Sequence, residues 1–263
     1  MSFEAYELAR TDKAGNKIVL CGRKTGPLKG HPIVMLASLG RPGSDFDEIA
    51  LALAAKGYRV VLPEPRGIGG STGPMEDLTL HDLADDVAHI IKDMPHAPVT
   101  LLGHAFGNRL TRTTASDYPA LVTRVILLAC GGLIEMPEKA RKALIGCFDV
   151  NKTPDEHLEC VRYGFFADGN DPEAWRDGWY PGVMLMQSGA VRRTPVEDWW
   201  GAGGQPMLVV QALEDRIALS ANSQDLKKRF PEQVTLAELP RAGHAMLPEQ
   251  PAKIVEIISE FLA

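Results

Sequence analysis

Short runs of β-branched and leucine residues alternate along this chain with longer stretches whose apolar positions recur every three or four residues. The short runs predict strands at Lys17–Cys21, Ile33–Ser38, Arg59–Pro63, Val99–Gly103, Arg124–Leu128, Met207–Ala212 and Val234–Leu239. The longer stretches predict amphipathic helices at Phe46–Lys56, Thr79–Asp93, Asn108–Tyr118, Ala221–Phe230 and Ala252–Leu262. Most of these strand runs are apolar throughout instead of alternating, as strands covered on both faces are. The pattern predicts an α/β domain: a mostly parallel central sheet with helices on both faces.

The rhythm breaks between about Ile134 and Gly204, a stretch rich in aromatics, Gly, Pro and charge with no buried-strand pattern. We read residues 1–133 and 205–263 as the core and 134–204 as an inserted cap. Nine of the 17 aromatic residues fall between Phe148 and Trp200, all four tryptophans included, so the cap either is glued to the body by them or supplies an apolar pocket wall. On the second reading Trp175, Trp179, Tyr180 and Trp199 line a substrate pocket, because an insertion over the carboxyl ends of a sheet is where such sites form. Cys130, just past a predicted strand, is placed in the same pocket as an inert thiol.

Composition narrows the function classes. The 263 residues suffice for one sizeable core, and the net charge of −6 arises without a long run of either sign, which argues against nucleic-acid and anionic-membrane partners. A small-molecule substrate is the expected partner, with a homodimer left open. Cys21, Cys130, Cys147 and Cys160 form no CxxC pair, so neither a zinc site nor a disulfide scaffold is expected. The start has no basic region followed by an apolar stretch and no run is long enough to span a bilayer, so a cytoplasmic location is expected. No GxGxxG turn opens the first helix and no ligand cluster is evident, so the expectation is no organic cofactor and no metal.

The chemistry-bearing segments are three. Leu101-Leu102-Gly103-His104-Ala105-Phe106-Gly107 takes a buried strand through a glycine-flanked turn into a helix. Leu213-Glu214-Asp215-Arg216 and Pro240-Arg241-Ala242-Gly243-His244 each follow a predicted strand. Together, in this order, they resemble the nucleophile elbow, acid loop and histidine loop of the α/β-hydrolase superfamily. Gly57–Ser71 is similar to that family's strand followed by DxRGxGxS, with Glu64 where Asp is usual, and Ala37-Ser38-Leu39-Gly40 stands where His-Gly is typical. The resemblance covers nearly the whole chain outside the cap. It implies His244 as the catalytic base, Asp215 as its acid partner and Ala105 at the nucleophile position, with backbone N–H groups of Phe106 and Leu39 forming the oxyanion hole.

A methyl group at position 105 cannot attack a carbonyl. The leading reading is an enzyme for a small apolar or aromatic ester, lactone or amide-like substrate, with the His244–Asp215 dyad as general base and no serine nucleophile. Departures at Ser38 and Glu64 favour it. Three alternatives stay open: a serine esterase or lactonase inactivated by alanine in place of its serine, a cofactor-independent lyase or oxygenase using the dyad, and a non-catalytic small-ligand receptor. Other residues weigh less: His104 is expected to pack behind the turn, His81, His89 and His96 to be solvated or locally bonded, and Arg192-Arg193 to be a solvated pair more readily than an anion clamp.

Overall fold

In the computed structural model residues 2–263 are described, and eight strands form one sheet. They are β1 (Glu4–Thr11), β2 (Lys17–Thr25), β3 (Pro32–Leu36), β4 (Arg59–Pro63), β5 (Val99–His104), β6 (Val122–Leu128), β7 (Met207–Ala212) and β8 (Val234–Leu239). Their spatial order is β1-β2-β4-β3-β5-β6-β7-β8, antiparallel where β2 meets β1 and β4, and parallel from β4 onward. All seven strands read from the sequence are present. β1 was not among them: its outer positions are exposed, and only Tyr6, Leu8 and Arg10 turn inward as it folds back on β2.

The central strands bury both faces, which is why their sequences do not alternate in polarity. Met35, Leu62, Leu102, Ile126 and Val210 pack on one side against α1 (Asp47–Ala55) and α9 (Pro251–Leu262). Val34, Val61, Leu101, Leu127 and Val209 pack on the other against α2 (Leu80–Asp93). Helix α2 starts at a capping box, in which Thr79 accepts from the Asp82 N–H and Asp82 accepts from the Thr79 N–H. Helix α3 (Phe106–Asp117) leaves the sheet directly from β5, and α7 (Ser220–Arg229) and the short α8 (Met246–Glu249) follow β7 and β8.

Between β6 and β7 the segment 134–204 folds into α4 (Glu138–Gly146), α5 (Pro154–Phe165) and α6 (Pro181–Arg193), with one 3₁₀ turn between α5 and α6 and two more after α6. Helix α5 has its own capping box, Thr153 with Glu156, and Pro154 in the first turn where its missing N–H costs nothing. These helices lie beyond the carboxyl ends of the strands, since β6 and β7 are parallel and the chain leaves β6 at its end.

The Arg66–Ser71 stretch is structural. Arg66 sends Nε and Nη2 to Asp86 at 2.7 and 3.0 Å, and Arg10 of β1 reaches the same carboxylate at 2.8 Å. The Ser71 hydroxyl accepts from the Cys21 N–H at 2.8 Å and donates to the Glu64 carbonyl at 3.0 Å, tying this loop to β2. Glu64 accepts from the Gly43 N–H at 2.9 Å, and burial raises its carboxyl above the usual range.

Candidate active site

The bend between β5 and α3 is shaped by space as much as by dihedral angles. A Cβ on Gly103 would lie 2.2 Å from the Gly107 carbonyl, and one on Gly107 would lie 2.0 Å from the Leu36 oxygen, so neither position admits a side chain. Between them Ala105 adopts φ 51° and ψ −106°, close to the first central position of a type II′ turn, which favours glycine. Its N–H donates to the Leu128 carbonyl at 3.0 Å, and the Asn108 amide holds the Ala129 carbonyl at 2.9 Å. The methyl of Ala105 therefore projects from a bend fixed on both sides.

His244 and Asp215 meet beside this bend. His244 Nδ1 lies 2.9 Å from Asp215 Oδ2 and 3.1 Å from Oδ1, and both residues are buried. Asp215 Oδ1 also accepts the backbone N–H groups of Ile217 and Ala218, each at 2.8 Å. The carboxylate is an acceptor only, so Nδ1 carries the hydrogen and Nε2 is left with its lone pair. His104, adjacent to the bend residue, donates from Nε2 to the His244 carbonyl at 2.8 Å. Burial, with the neighbouring His244 second, holds the His104 imidazole well below its ordinary value, which keeps it neutral. The His244 loop is further pinned by Ala245 N–H to the Phe165 carbonyl at 2.7 Å and Gly243 N–H to Glu249 at 2.7 Å.

Ala105, His244 and both expected oxyanion residues, Leu39 and Phe106, line one cavity of about 490 Å³. Most of its remaining wall is apolar, from Leu133, Ile134, Met136, Leu144, Val191 and Ile217, with Ser38, Ser188, Arg109, Arg192, Glu135 and Arg141 as polar lining. These polar residues went unassigned or underweighted in the sequence. Arg109 had a signal: it lies four residues after Ala105 on α3, hence on the same helix face.

The expected pocket aromatics sit elsewhere. Of the nine cap aromatics only Phe165 reaches this cavity, with its ring 5.4 Å from that of His244. Trp175 and Trp179 pack edge-on against each other and Phe165, and the Arg41 guanidinium lies 4.4 and 4.5 Å from their ring centres. Arg41 in turn holds Asp45 and the Asp177 carbonyl, all at 2.8 Å. These tryptophans thus brace the loop that carries Leu39 instead of walling the pocket. Tyr180 is exposed and its N–H donates to the Gly40 carbonyl, while Trp199 is buried against Trp200 and Arg112. Cys130 is fully buried, and burial raises its thiol above the ordinary value. The apolar areas of Trp175, Trp179 and Trp199 are covered largely by other aromatic rings and by Arg41 and Arg112.

Among the described residues no group of three or more His, Cys, Asp or Glu is placed to hold a metal, and no helix is long and apolar enough to cross a membrane. The cysteines are unpaired there, at Cys21, Cys130, Cys147 and Cys160.

Comparison with known proteins agrees with this architecture. The chain is 26% identical over 261 residues to RutD of Variovorax paradoxus strain S110, covering 90% of this chain and 94% of that one. It is 25% identical over 246 residues to a pyrethroid hydrolase of Sphingobium wenxiniae, covering 87% and 86%. A thermophilic esterase from Thermogutta terrifontis superposes with a TM-score of 0.81 over 98% of both chains at 22% identity, a likeness of fold. The model of the alpha/beta hydrolase fold family matches residues 32–251, so the chain belongs to that family.

Proposed function

We propose that this protein is a hydrolase for small esters, lactones or amide-like compounds with an apolar or aromatic body, in which the His244–Asp215 dyad activates water directly. The observation that carries this reading is the pairing of His244 Nδ1 with Asp215 at 2.9 Å at the edge of a cavity that Ala105 also lines. A receptor needs no such oriented base, and the buried carboxylate with two backbone donors is a costly arrangement to keep for binding alone. The pyrethroid hydrolase among its relatives supports the reaction class. The segment 134–204 acts as the cap over the cavity.

In this mechanism His244 Nε2 removes a proton from water as the oxygen attacks the substrate carbonyl carbon. Charge that develops on the carbonyl oxygen is met by the N–H groups of Leu39 and Phe106, the latter opening α3 at its positive end. The imidazolium, held by Asp215, then returns the proton to the departing oxygen or nitrogen, and the acid and leaving group separate. No bond to the protein forms. Base catalysis of this kind supplies roughly 10²–10⁴-fold, and orientation adds to it.

The test is intact-protein mass spectrometry during turnover of a panel of aryl esters and lactones. Product is expected to accumulate while the protein keeps its unmodified mass, and Ala105→Ser is expected to introduce an acylated species. An acyl adduct on the unaltered chain would refute the reading.

A further inference from the structure

We propose that the cavity selects substrates bearing a carboxylate arm, and that Arg109, assisted by Arg192, is the residue that holds it. The inference rests on the reading of this cavity as the substrate site, and it adds the substrate class.

Arg109 is half-buried and lines the cavity from α3, one helical turn beyond Ala105. That turn places its Cα roughly 6 Å from the bend along the helix axis, so an anion on its guanidinium lies within the same cavity as a carbonyl at the dyad. Among the described residues no carboxylate pairs with Arg109. Burial pulls its guanidinium below the ordinary arginine value, and the thiol of Cys130 is the one group acting the other way. A partly buried charge without a counter-charge costs stability.

The neighbouring arginine is held within the protein, although its Nη1 has no partner. Arg112 is fully buried, yet its Nη2 reaches Asn108 Oδ1 at 2.8 Å and the Gly131 carbonyl at 2.9 Å, and its guanidinium lies 4.5 Å from the ring centres of both Trp199 and Trp200. Among the described residues Arg109 donates no side-chain hydrogen bond, and the Trp199 ring centre lies 6.0 Å away. Its donors remain for something in the cavity.

The other charged groups on the lining point the same way. Arg192 comes from the last turn of α6, while Arg193 beside it faces Asp77 at 2.9 Å. Arg141 is already paired with Glu138 at 2.7 Å, and Glu135 is exposed. Two unpaired guanidinium groups, the half-buried one of Arg109 and the exposed one of Arg192, against one exposed carboxylate leave the cavity lining with a net positive charge. A planar guanidinium matches a carboxylate with two parallel hydrogen bonds, each stronger than a neutral one.

The experiment is calorimetric binding of ω-phenylalkanoates with two to six chain carbons, each compared with its neutral primary amide. The unaltered protein, Arg109→Gln, Arg109→Lys, Arg192→Gln and His244→Ala are all measured, with thermal unfolding as the control for folding. At least one carboxylate is expected to bind the unaltered protein at least tenfold more tightly than its amide. Arg109→Gln is expected to abolish that preference, Arg109→Lys to retain part of it, Arg192→Gln to weaken it severalfold, and His244→Ala to preserve it. The proposal is overturned if no carboxylate in the series binds more tightly than its amide, or if folded Arg109→Gln keeps the full preference. Failure of the water-activation reading would show separately, as an acyl adduct on the unaltered chain in mass spectrometry, and would leave the carboxylate preference standing.

Discussion

At the residue scale the most informative position is Ala105. Its φ of 51° is a conformation that L side chains adopt at a cost, and the surrounding bend enforces it through Gly103, Gly107 and the Leu128 carbonyl. Such strain costs on the order of 1–3 kcal/mol and persists only where the fold over-determines it. Ala105→Gly removes the Cβ that makes this conformation unfavourable, while giving the unfolded chain more freedom to lose. The strain term is the larger, so the variant is expected to be more stable by about 1 kcal/mol in urea denaturation. A loss of stability would show that the bend is relaxed as it stands. The bend and the two partner stations were legible in the sequence because each carries its own local signature: paired glycines between a strand and a helix, and an acid and a histidine just past strands. The cavity wall from Leu133, Ile134, Met136, Leu144 and Ser188 was not, since it is assembled from residues that share no local pattern.

At the scale of elements, the sequence showed which strands exist but not all of their ends: β3 stops at Leu36 where Ser38 was expected, and β6 begins at Val122 where Arg124 was expected. The strands from β3 to β8 were visible as apolar runs, while β1 escaped because its exposed face reads as polar chain and its register is set by pairing with β2. The aromatic segment was misread for a related reason. Aromatic content reports buried area without saying what the rings bury against, and here Trp175 and Trp179 pack on Arg41 and Phe165.

One junction between elements titrates. His81 on α2 bonds Asp117 at the end of α3 at 2.8 Å and Asp198 at 3.3 Å. Burial opposes its charge, but the bonds and charges of the two carboxylates outweigh it, and the imidazole is raised above its ordinary value. A histidine raised in the folded state contributes stability fully below its unfolded value near 6.5, and loses it as pH rises through the folded value. The site is 40% exposed, so solvent screening limits the effect to about 0.5 kcal/mol. The destabilisation caused by His81→Gln is therefore expected to be larger at pH 6 than at pH 8.5, measured by urea denaturation at both. An equal or reversed difference would remove the clip from the account.

At the scale of the whole molecule, the fold brings together loops more than a hundred residues apart in sequence. Parallel strands deliver the bend after β5, the acid after β7 and the histidine after β8 to one end of the sheet, and the helices between β6 and β7 enclose the space above them. Helix α5 ends on the histidine loop through the Phe165 carbonyl, and α6 reaches the Leu39 loop through Gln187, whose side chain accepts from the Gly40 N–H at 2.8 Å. The same helices that border the cavity thus also hold the His244 loop and the Leu39 loop in place. This coupling makes the dyad the centre of the account and not an isolated pair. Its most direct test is kcat/KM for an ester that the unaltered protein turns over, compared with His244→Ala at the same pH. A fall of roughly 10²–10⁴-fold is predicted, with circular dichroism unchanged; turnover that survives the substitution undiminished would contradict the claim that this imidazole is the base.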